Sequence, residues 1–313
     1  MSDVRSARGA VVGGWVRGAR GALAGHRGLL AAGSALIASN LAAAGFGFVY
    51  WIVAAHFLDD AQVGLASAAV ASMSLVGMLT LGGANHVSYR FLPAAGGRQR
   101  SLVRRVQAIV LALGLAGGLI YLAGSAVWAP PVAQLGLAFV AAAALQALFN
   151  VQDQVLLGLG LPRWIIAKNG GFGVAKLALL IAAGVSAGGV LAGWPAVIWP
   201  WLGCLAVATA GVAWLAERRA QHGSASATPL PPVRELVRFG LATHAGGLLL
   251  QLPALLYPML VLQVLGAEAT AYFYMAWMIA SLLLMAASDV ASATVARAAA
   301  PGSDVRGALL AFG

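Results

Sequence analysis

The stretch "FNVQDQVLLG", residues 149–158, places amides and a carboxylate between two long apolar runs. Gln146, Asn150, Asp153 and Gln154 follow the spacing i, i+4, i+7 and i+8, which puts them on one face of a helix. Ionisable residues inside apolar segments are costly and often line cavities. Two interpretations of this polar face carry equal weight. It is either the hydrated side of a helix that lines a cavity, or a polar clamp between neighbouring helices.

The next apolar segment carries a second polar set. Asn169 and Lys176 are seven positions apart and share a helix face, with Lys168 at its edge. Asp153 and Lys168 each lie about 10 Å from the turn near Leu161 at 1.5 Å per residue, so the two are placed to pair. Lys176 lies deeper, where a lysine needs water, a carboxylate or an anionic ligand. A structural lysine paired with helix-end carbonyls or a partner elsewhere stays open as the alternative.

Five further residues are weaker candidates for a site. His244 and Gln251 share one face of a later apolar segment, and His244 would titrate in the working pH range, although a lone histidine near a helix end is more often solvated. Asn40 fits a helix-packing role best. Arg90 and Arg297 each lie at the end of an apolar segment. Anchoring at the membrane surface explains both arginines, and phosphate binding is the more specific alternative.

Composition places all these residues in a membrane protein. The chain has 313 residues, of which 61% are hydrophobic and 9% charged, whereas a soluble domain is about 25% charged. The net charge of +10 sits at the ends of apolar segments, which is the membrane pattern rather than that of a nucleic-acid-binding protein. The single cysteine, Cys204, excludes an intramolecular disulfide and a cysteine-based metal site.

Apolar stretches of about 20 residues or more predict transmembrane helices, and about eight are present. The predicted spans are Leu29–Phe57, Val63–Val87, Val103–Trp128, Val132–Gly158, Pro162–Ser186, Val190–Leu215, Leu236–Leu265 and Ala269–Ala296. Tyr50, Trp51 and Trp128, near predicted span ends, are typical of the aromatic belt at a membrane surface.

The connections between spans alternate in charge. The N-terminal segment and every second connection after it hold arginine or lysine, whereas the others are neutral or hold only Asp59, Asp60 and Glu268. Because basic residues stay on the cytoplasmic side, the N terminus is predicted to be cytoplasmic in a multi-pass protein of the cell membrane.

A repeat relates the first and last hairpins. The longest connection contains "QHGSASATPLPP", which is typical of a flexible linker. With an offset of 207 positions (257 − 50), Tyr50 aligns with Tyr257, Ser74 with Ser281, and Arg90 with Arg297. Two repeats of the same orientation would be related by an axis along the membrane normal, as in one class of transporters.

This repeat predicts two lobes, with the second incomplete. The fold expected is an all-α polytopic membrane protein with a six-helix N-terminal lobe and the first two helices of a truncated second lobe; a complete eight-helix protein is the alternative. The predicted divisions are a basic cytoplasmic segment (1–28), the N-lobe (29–216), a cytoplasmic linker (217–234) and the start of the C-lobe (235–313).

The first hairpin resembles a known family. "SALIASNLAAAGFGFVYWIVAAHFLDDAQVGLASAAVASMSLVGMLTLGGANHVSYRFLP" is similar to the first hairpin of polysaccharide-type flippases of the multidrug/oligosaccharidyl-lipid/polysaccharide exporter superfamily, and "LGAEATAYFYMAWMI" to the matching stretch of their second lobe. The resemblance implies two six-helix lobes around a central cavity. It also implies transport of undecaprenyl-pyrophosphate-linked sugars between leaflets by alternating access, for cell-surface polysaccharide synthesis.

On that resemblance, the expected partners are a lipid-linked sugar, membrane lipid and a coupling ion, with glycosyltransferases and a polymerase acting beside the transporter. No cofactor and no nucleic acid are expected. Lys176 would attract the pyrophosphate, since an ammonium serves as a point charge without fixed geometry. The alternatives are a drug/cation antiporter of the same superfamily and a membrane-embedded enzyme of polysaccharide synthesis. The short outer connections leave little room for a catalytic domain and favour a transporter.

Overall fold

The computed structural model describes residues 42–128, 130–220 and 232–298, and every regular element in these ranges is helical. An all-α polytopic membrane fold was predicted and is confirmed. The helices are α1 (Ala42–Phe57), α2 (Asp60–Leu79), α3 (Ala84–Phe91), α4 (Gln99–Trp128), α5 (Pro130–Leu135), α6 (Leu137–Gly158), α7 (Pro162–Ser186), α8 (Pro195–Arg219) and α9 (Val233–Ala298), with a 3₁₀ turn at Gly96–Arg98.

The long α9 consists of two helical limbs that meet at Gly266. This glycine has φ 86° and ψ −179°, outside the helical region. The rings of Tyr257 and Trp277 lie 5.2 Å apart, although a continuous helix would separate residues 20 positions apart by about 30 Å. The chain therefore reverses at Gly266, and the first limb and the second limb form a hairpin, as the seventh and eighth predicted spans require.

Two predicted spans were wrong as single helices. The second span is broken where Gly82 (φ 53°) and Gly83 (φ 82°) separate α2 from α3. The fourth is broken at Gly136 (φ 54°), which separates the short α5 from α6. Both breaks fall on glycines with positive φ, a conformation that other residues adopt at a steric cost and that hydropathy does not report.

Six helical stretches of the described chain are long and apolar enough to cross a membrane. They are Asp60–Leu79, Gly96–Ala126, Leu137–Gly158, Pro162–Ser186, Pro195–Arg219 and Ala254–Ser281, and Ala42–Phe57 is a shorter apolar helix. The stretch from Ala254 passes through the Gly266 reversal. With the two limbs of α9 counted separately, helices of the described residues correspond to the eight predicted spans, the first of which is described only from Ala42.

The α1–α2 hairpin packs against the α9 hairpin through very close backbone contacts. At one end of α2, a Cβ built on Gly64 would lie 1.9 Å from the carbonyl oxygen of Ala267, and after its other end a Cβ on Gly83 would lie 2.1 Å from the carbonyl of Gly240. Thus α2 runs antiparallel to the first limb. Helices in membranes associate through such small residues because lipid supplies no hydrophobic drive.

The core of the first six spans surrounds α1, α2 and α6. Tyr50 and Trp51 are 0% and 1% exposed and pack with residues of α2, α6, α7 and α8. The interpretation of these two aromatic residues as part of a membrane-surface belt was therefore wrong. Both side chains lie on the face of α1 that is turned toward the bundle. Their position near the end of a predicted span does not show which way the side chains point.

Charged residues separate to opposite ends of the helices. One end of the bundle, which we call the basic end, holds three arginines in contact with other helices. Arg100 and Arg104 of α4 contact Glu217 of α8, and Arg90 of α3 lies over the ring of Phe239 in the first limb. At what we call the acidic end, Asp60 accepts a hydrogen bond from Tyr272 of the second limb. The alternation seen in the sequence thus corresponds to two ends of the folded bundle.

Membrane orientation is a testable consequence of this separation. In a Cys204→Ala background, Glu268→Cys and Ala187→Cys, both exposed at the acidic end, should react with a membrane-impermeant maleimide in intact cells. Ser224→Cys, in the linker, should react only after permeabilisation, because basic connections stay in the cytoplasm. Labelling of Ser224→Cys in intact cells, with the other two protected, would reverse the predicted orientation.

Candidate functional site

Lys168 and Asp153 form an ion pair between α7 and α6. Lys168 Nζ lies 2.7 Å from Asp153 Oδ1 and donates a hydrogen bond of 2.6 Å to the carbonyl oxygen of Phe149. The ammonium also lies 3.5 Å from the centroid of the Phe149 ring. The predicted pairing is confirmed, and the lysine side chain is 1% exposed. This part of the polar set acts as a clamp between neighbouring helices.

Of the neighbouring amides, Asn169 belongs to this clamp. Asn169 Nδ2 donates to Asp153 Oδ2 at 3.3 Å, so the carboxylate has partners at both oxygens. One turn earlier on α6, Gln146 Nε2 donates to Asn150 Oδ1 at 3.1 Å. The structure therefore brings Asp153 together with Lys168 and Asn169 at the α6–α7 contact, whereas the hydrogen bond of Asn150 lies within α6.

Lys176 lies two turns further along α7, inside a cage of three aromatic rings. Its Nζ is 3.5 Å from the ring centroid of Trp201, 4.9 Å from that of Tyr50 and 5.0 Å from that of Phe172. The residue is 4% exposed. Within the part of the chain that the structure describes, the ammonium has no carboxylate or carbonyl oxygen as a partner.

The cage is assembled from three helices by specific local features. Pro200 lies inside α8 and disturbs the backbone hydrogen bonds of the preceding turn. The hydroxyl of Tyr50 donates to the carbonyl oxygen of Val197 in that turn, at 2.5 Å. This bond fixes the Tyr50 ring edge-on to Trp201, with centroids 5.4 Å apart, so that both rings present their faces to Lys176.

The aromatic cage compensates only part of the cost of burying this charge. A cation–π contact contributes about 0.5–2 kcal/mol, whereas an ammonium removed from water costs several kcal/mol unless it is paired. Lys168 meets that requirement through Asp153, and Lys176 does not. The environment of Lys176 is therefore suited to an anion that the described part of the chain does not supply.

An apolar groove of about 570 Å³ runs along α7 and α8 beside the cage. Its walls include Phe172 of the cage and Cys204, together with Trp164 and Trp214 toward the basic end. A Cβ at Gly171 or at several other glycines of these helices would meet nothing within 4 Å, which leaves the groove open. The groove thus adjoins both buried ammonium groups: Lys168 lines it directly, and Lys176 Nζ lies 5.0 Å from the ring centroid of Phe172 in its wall.

The other predicted site residues lie apart from this cage. His244, 6% exposed, contacts the backbone of Met78 and Leu79 at the end of α2, whereas Gln251 on the same limb is exposed. Arg90 is exposed and lies 4.7 Å from the ring centroid of Phe239. The side chain of Arg297 and all of Asn40 lie outside the described residues.

Sequence reasoning missed two features of the site. The chain contains two lysines, Lys168 and Lys176, against 17 arginines (19 − 2), and both lysines are buried on α7. Because the other basic residues are all arginine, composition alone could have singled out these two lysines as candidates for a separate role. Gln152, which helical spacing puts on another face, is fully buried and donates 2.9 Å to the carbonyl of Thr209, tying α6 to α8.

The described residues contain no group of three or more His, Cys, Asp or Glu side chains placed to hold a metal ion. The chemistry available at the site is therefore that of two ammonium groups, one carboxylate, neutral amides and aromatic faces. Groups of these kinds can bind and orient charged or amphiphilic molecules.

Comparison with solved structures identifies the fold. A MOP superfamily transporter from Pyrococcus furiosus matches with a TM-score of 0.63 and 15% identity, over 87% of this chain and 64% of that one. A MATE transporter in complex with MaL6 matches with a TM-score of 0.63 and 15% identity, over 91% and 67%. An outward-facing multidrug resistance MATE transporter gives 0.62 and 15%, over 87% and 64%.

The fold is that of MOP superfamily transporters. At these identities the likeness concerns the fold alone, and the chain spans about two thirds of the length of the structures it matches. No family model matches the chain, and no curated protein matches it.

The clamp makes a prediction about stability. Lys168→Met leaves the Asp153 carboxylate without its cation and should lower the free energy of unfolding by about 2 kcal/mol, less than for a fully buried pair because Asp153 is 22% exposed. Lys168→Met/Asp153→Asn should lose less than the single variant. Unfolding in mixed detergent–SDS micelles measures both.

Arg218→Gln is the matched control for this experiment. Arg218 is an exposed cation at the basic end, so its loss should change stability by no more than about 0.5 kcal/mol. Equal destabilisation by Lys168→Met and by the double variant would show that the ion pair does not couple α6 to α7.

Proposed function

We propose that this chain is part of a membrane transporter that moves an amphiphile with an anionic head across the bilayer, and that the amphiphile is a lipid-linked oligosaccharide. The observation that carries the proposal is the buried ammonium of Lys176, which has no anionic partner among the described residues and lies beside an apolar groove. A pyrophosphate supplies the missing negative charge, and a polyprenyl chain fits a hydrocarbon surface.

The sign of the unpaired charge in the interior distinguishes transport of an anionic substrate from transport of a cation. Asp153 is neutralised by Lys168, and Glu217 by Arg100 and Arg104. Asp59, Asp60 and Glu268 lie at the acidic end, outside the apolar interior. Among side chains that the structure describes, the interior therefore offers an unpaired cation and no unpaired carboxylate, which favours an anionic substrate.

Alternating access requires two bodies that move relative to each other, and the contact between the two hairpins supports such an arrangement. α2 packs against the first limb, and α1 against the second through Trp51 and Tyr274, whose rings are 5.2 Å apart. The two-fold relation that the sequence repeat predicts would exchange the α2 contact with the first limb for the α1 contact with the second. Ser74 and Ser281, equivalent in the sequence repeat, both line a cavity of about 260 Å³ between the hairpins.

In this mechanism the aromatic cage holds Lys176 when no substrate is bound. A phosphate group that reaches the ammonium replaces weak ring contacts with a charge-assisted hydrogen bond, which is stronger in a low-dielectric interior. Because the lysine is a point charge without fixed geometry, it can hold the phosphate while the two hairpins change their angle.

Drug export is the second candidate function, and one observation favours it. The matching structures include a multidrug resistance MATE transporter, and the cavity between the hairpins is lined mainly by apolar and aromatic side chains, including Tyr274, Trp277 and Met278. Such a surface suits a hydrophobic drug. A drug transporter would not depend on the charge of Lys176.

The test measures transport by lysine variants of the full-length protein. Lys176→Gln should reduce transfer of undecaprenyl-pyrophosphate-linked oligosaccharide in proteoliposomes at least about tenfold, because one charge-assisted contact is lost. Lys176→Arg should retain part of the activity, since it keeps the charge. Abundance and thermal stability of the variants, measured in parallel, exclude misfolding.

Lys168→Gln serves as the comparison at the other buried lysine. If the clamp is structural, this variant should lower stability more than transport per folded molecule. Full transport by Lys176→Gln, or efflux of a cationic drug that is insensitive to it, would end the anionic-substrate proposal and favour the drug exporter.

A further inference from the structure

The indole N–H of Trp201 is a buried hydrogen-bond donor with no partner among the described residues. Its ring is the nearest of the three cage rings, with the centroid 3.5 Å from Lys176 Nζ. The side chain as a whole is half-buried, but its Nε1 is closed off from solvent. The proposed mechanism uses the face of this ring and gives its N–H no role.

A buried indole N–H usually has a hydrogen-bond partner, and because it is a donor only, another donor cannot satisfy it. Two acceptors of the surrounding helices are already engaged. The carbonyl oxygen of Val197 accepts from Tyr50, and the carboxylate of Asp153 is held by Lys168 and Asn169. Burying a polar group without a partner is costly, so this N–H, like the ammonium beside it, is suited to an acceptor from outside the described chain.

The polar groups that the structure describes around Lys176 are mainly donors. Besides the ammonium itself, they include the Trp201 N–H and the buried thiol of Cys204, one turn along α8, which is a weak hydrogen-bonding group. The hydroxyl of Tyr50 donates away from the ammonium, to Val197. Such a set disfavours a cation or another donor and favours a group whose atoms only accept. The oxygens of an ionised phosphate ester are a group of that kind.

The N–H and the ammonium are placed to contact one ligand group. Nε1 belongs to the ring whose face lies against Lys176 Nζ, so the two donors are neighbours and the oxygens of a single phosphate can reach both. The ring is held edge-on by Tyr50 and Phe172, with centroids 5.4 Å and 5.9 Å from its own. A ring held in this way gives its N–H a fixed direction, which the flexible ammonium lacks.

We propose that Trp201 Nε1 donates a second hydrogen bond to the anionic head that Lys176 receives, and that the pair binds a phosphate ester whose oxygens accept both bonds. This inference rests on the proposed function, because it requires the anion to reach the cage. The lysine supplies the attraction, which any anion would feel, and the indole supplies a direction. Trp201 is therefore a binding residue that orients the phosphate.

The experiment replaces this indole with a ring of the same shape that lacks the donor. Trp201→benzothienylalanine, introduced by nonsense suppression in the full-length protein, carries sulfur in place of the N–H and keeps the faces of the ring. Binding of undecaprenyl pyrophosphate in nanodiscs should weaken about fivefold, the effect of one lost hydrogen bond. Thermal stability of the ligand-free protein should not fall, because the N–H that is removed has no partner in the fold.

The matched control is Trp199→benzothienylalanine, on the same helix at a side chain that is 54% exposed, and it should keep the native affinity. Native affinity in the Trp201 variant, with weakened binding in Lys176→Gln, would overturn this inference and leave the proposed function standing. Native affinity in both of those variants would remove both proposals. A loss of stability in the Trp201 variant would show that its N–H has a partner within the protein, and would also overturn the inference.

Discussion

A buried ammonium ion must find a negative or strongly polar partner, and this requirement organises the interior of the first six spans. Lys168 meets it with Asp153 and the carbonyl of Phe149, and that contact holds α7 against α6. Lys176, eight positions later, has aromatic faces from three helices and no oxygen partner among the described residues. The same helix thus carries one lysine satisfied by the fold and one that the fold leaves available.

The same rule explains how the arginines are arranged at the basic end. Exposed ion pairs contribute little to stability, typically about 0–1 kcal/mol, so the pairing of Glu217 with Arg100 and Arg104 is better understood as positioning α4 against α8. Charge among the described residues is therefore distributed by depth: a paired clamp, an interior cation without an oxygen partner, and a basic end at the surface.

Hydropathy and charge predicted most of the fold, and spacing predicted part of the site. The eight apolar segments and the Lys168–Asp153 pair followed from window length and helical rise. The breaks at Gly82–Gly83 and Gly136 did not, because a hydropathy average is insensitive to one residue with positive φ. The cage around Lys176 depends on which aromatic residues of α1 and α8 turn inward, and that is fixed by tertiary packing rather than by local sequence.

The central claim is that the Lys176 ammonium receives the anionic head of the transported molecule. Because the chain has two lysines, ¹⁵N labelling of lysine side chains gives two Nζ signals in nanodiscs, and Lys168→Gln assigns them. Undecaprenyl pyrophosphate should move the Lys176 signal and leave that of Lys168 in place, since Lys168 is already paired. A Lys176 signal that stays unchanged at a concentration that saturates transport would contradict the account.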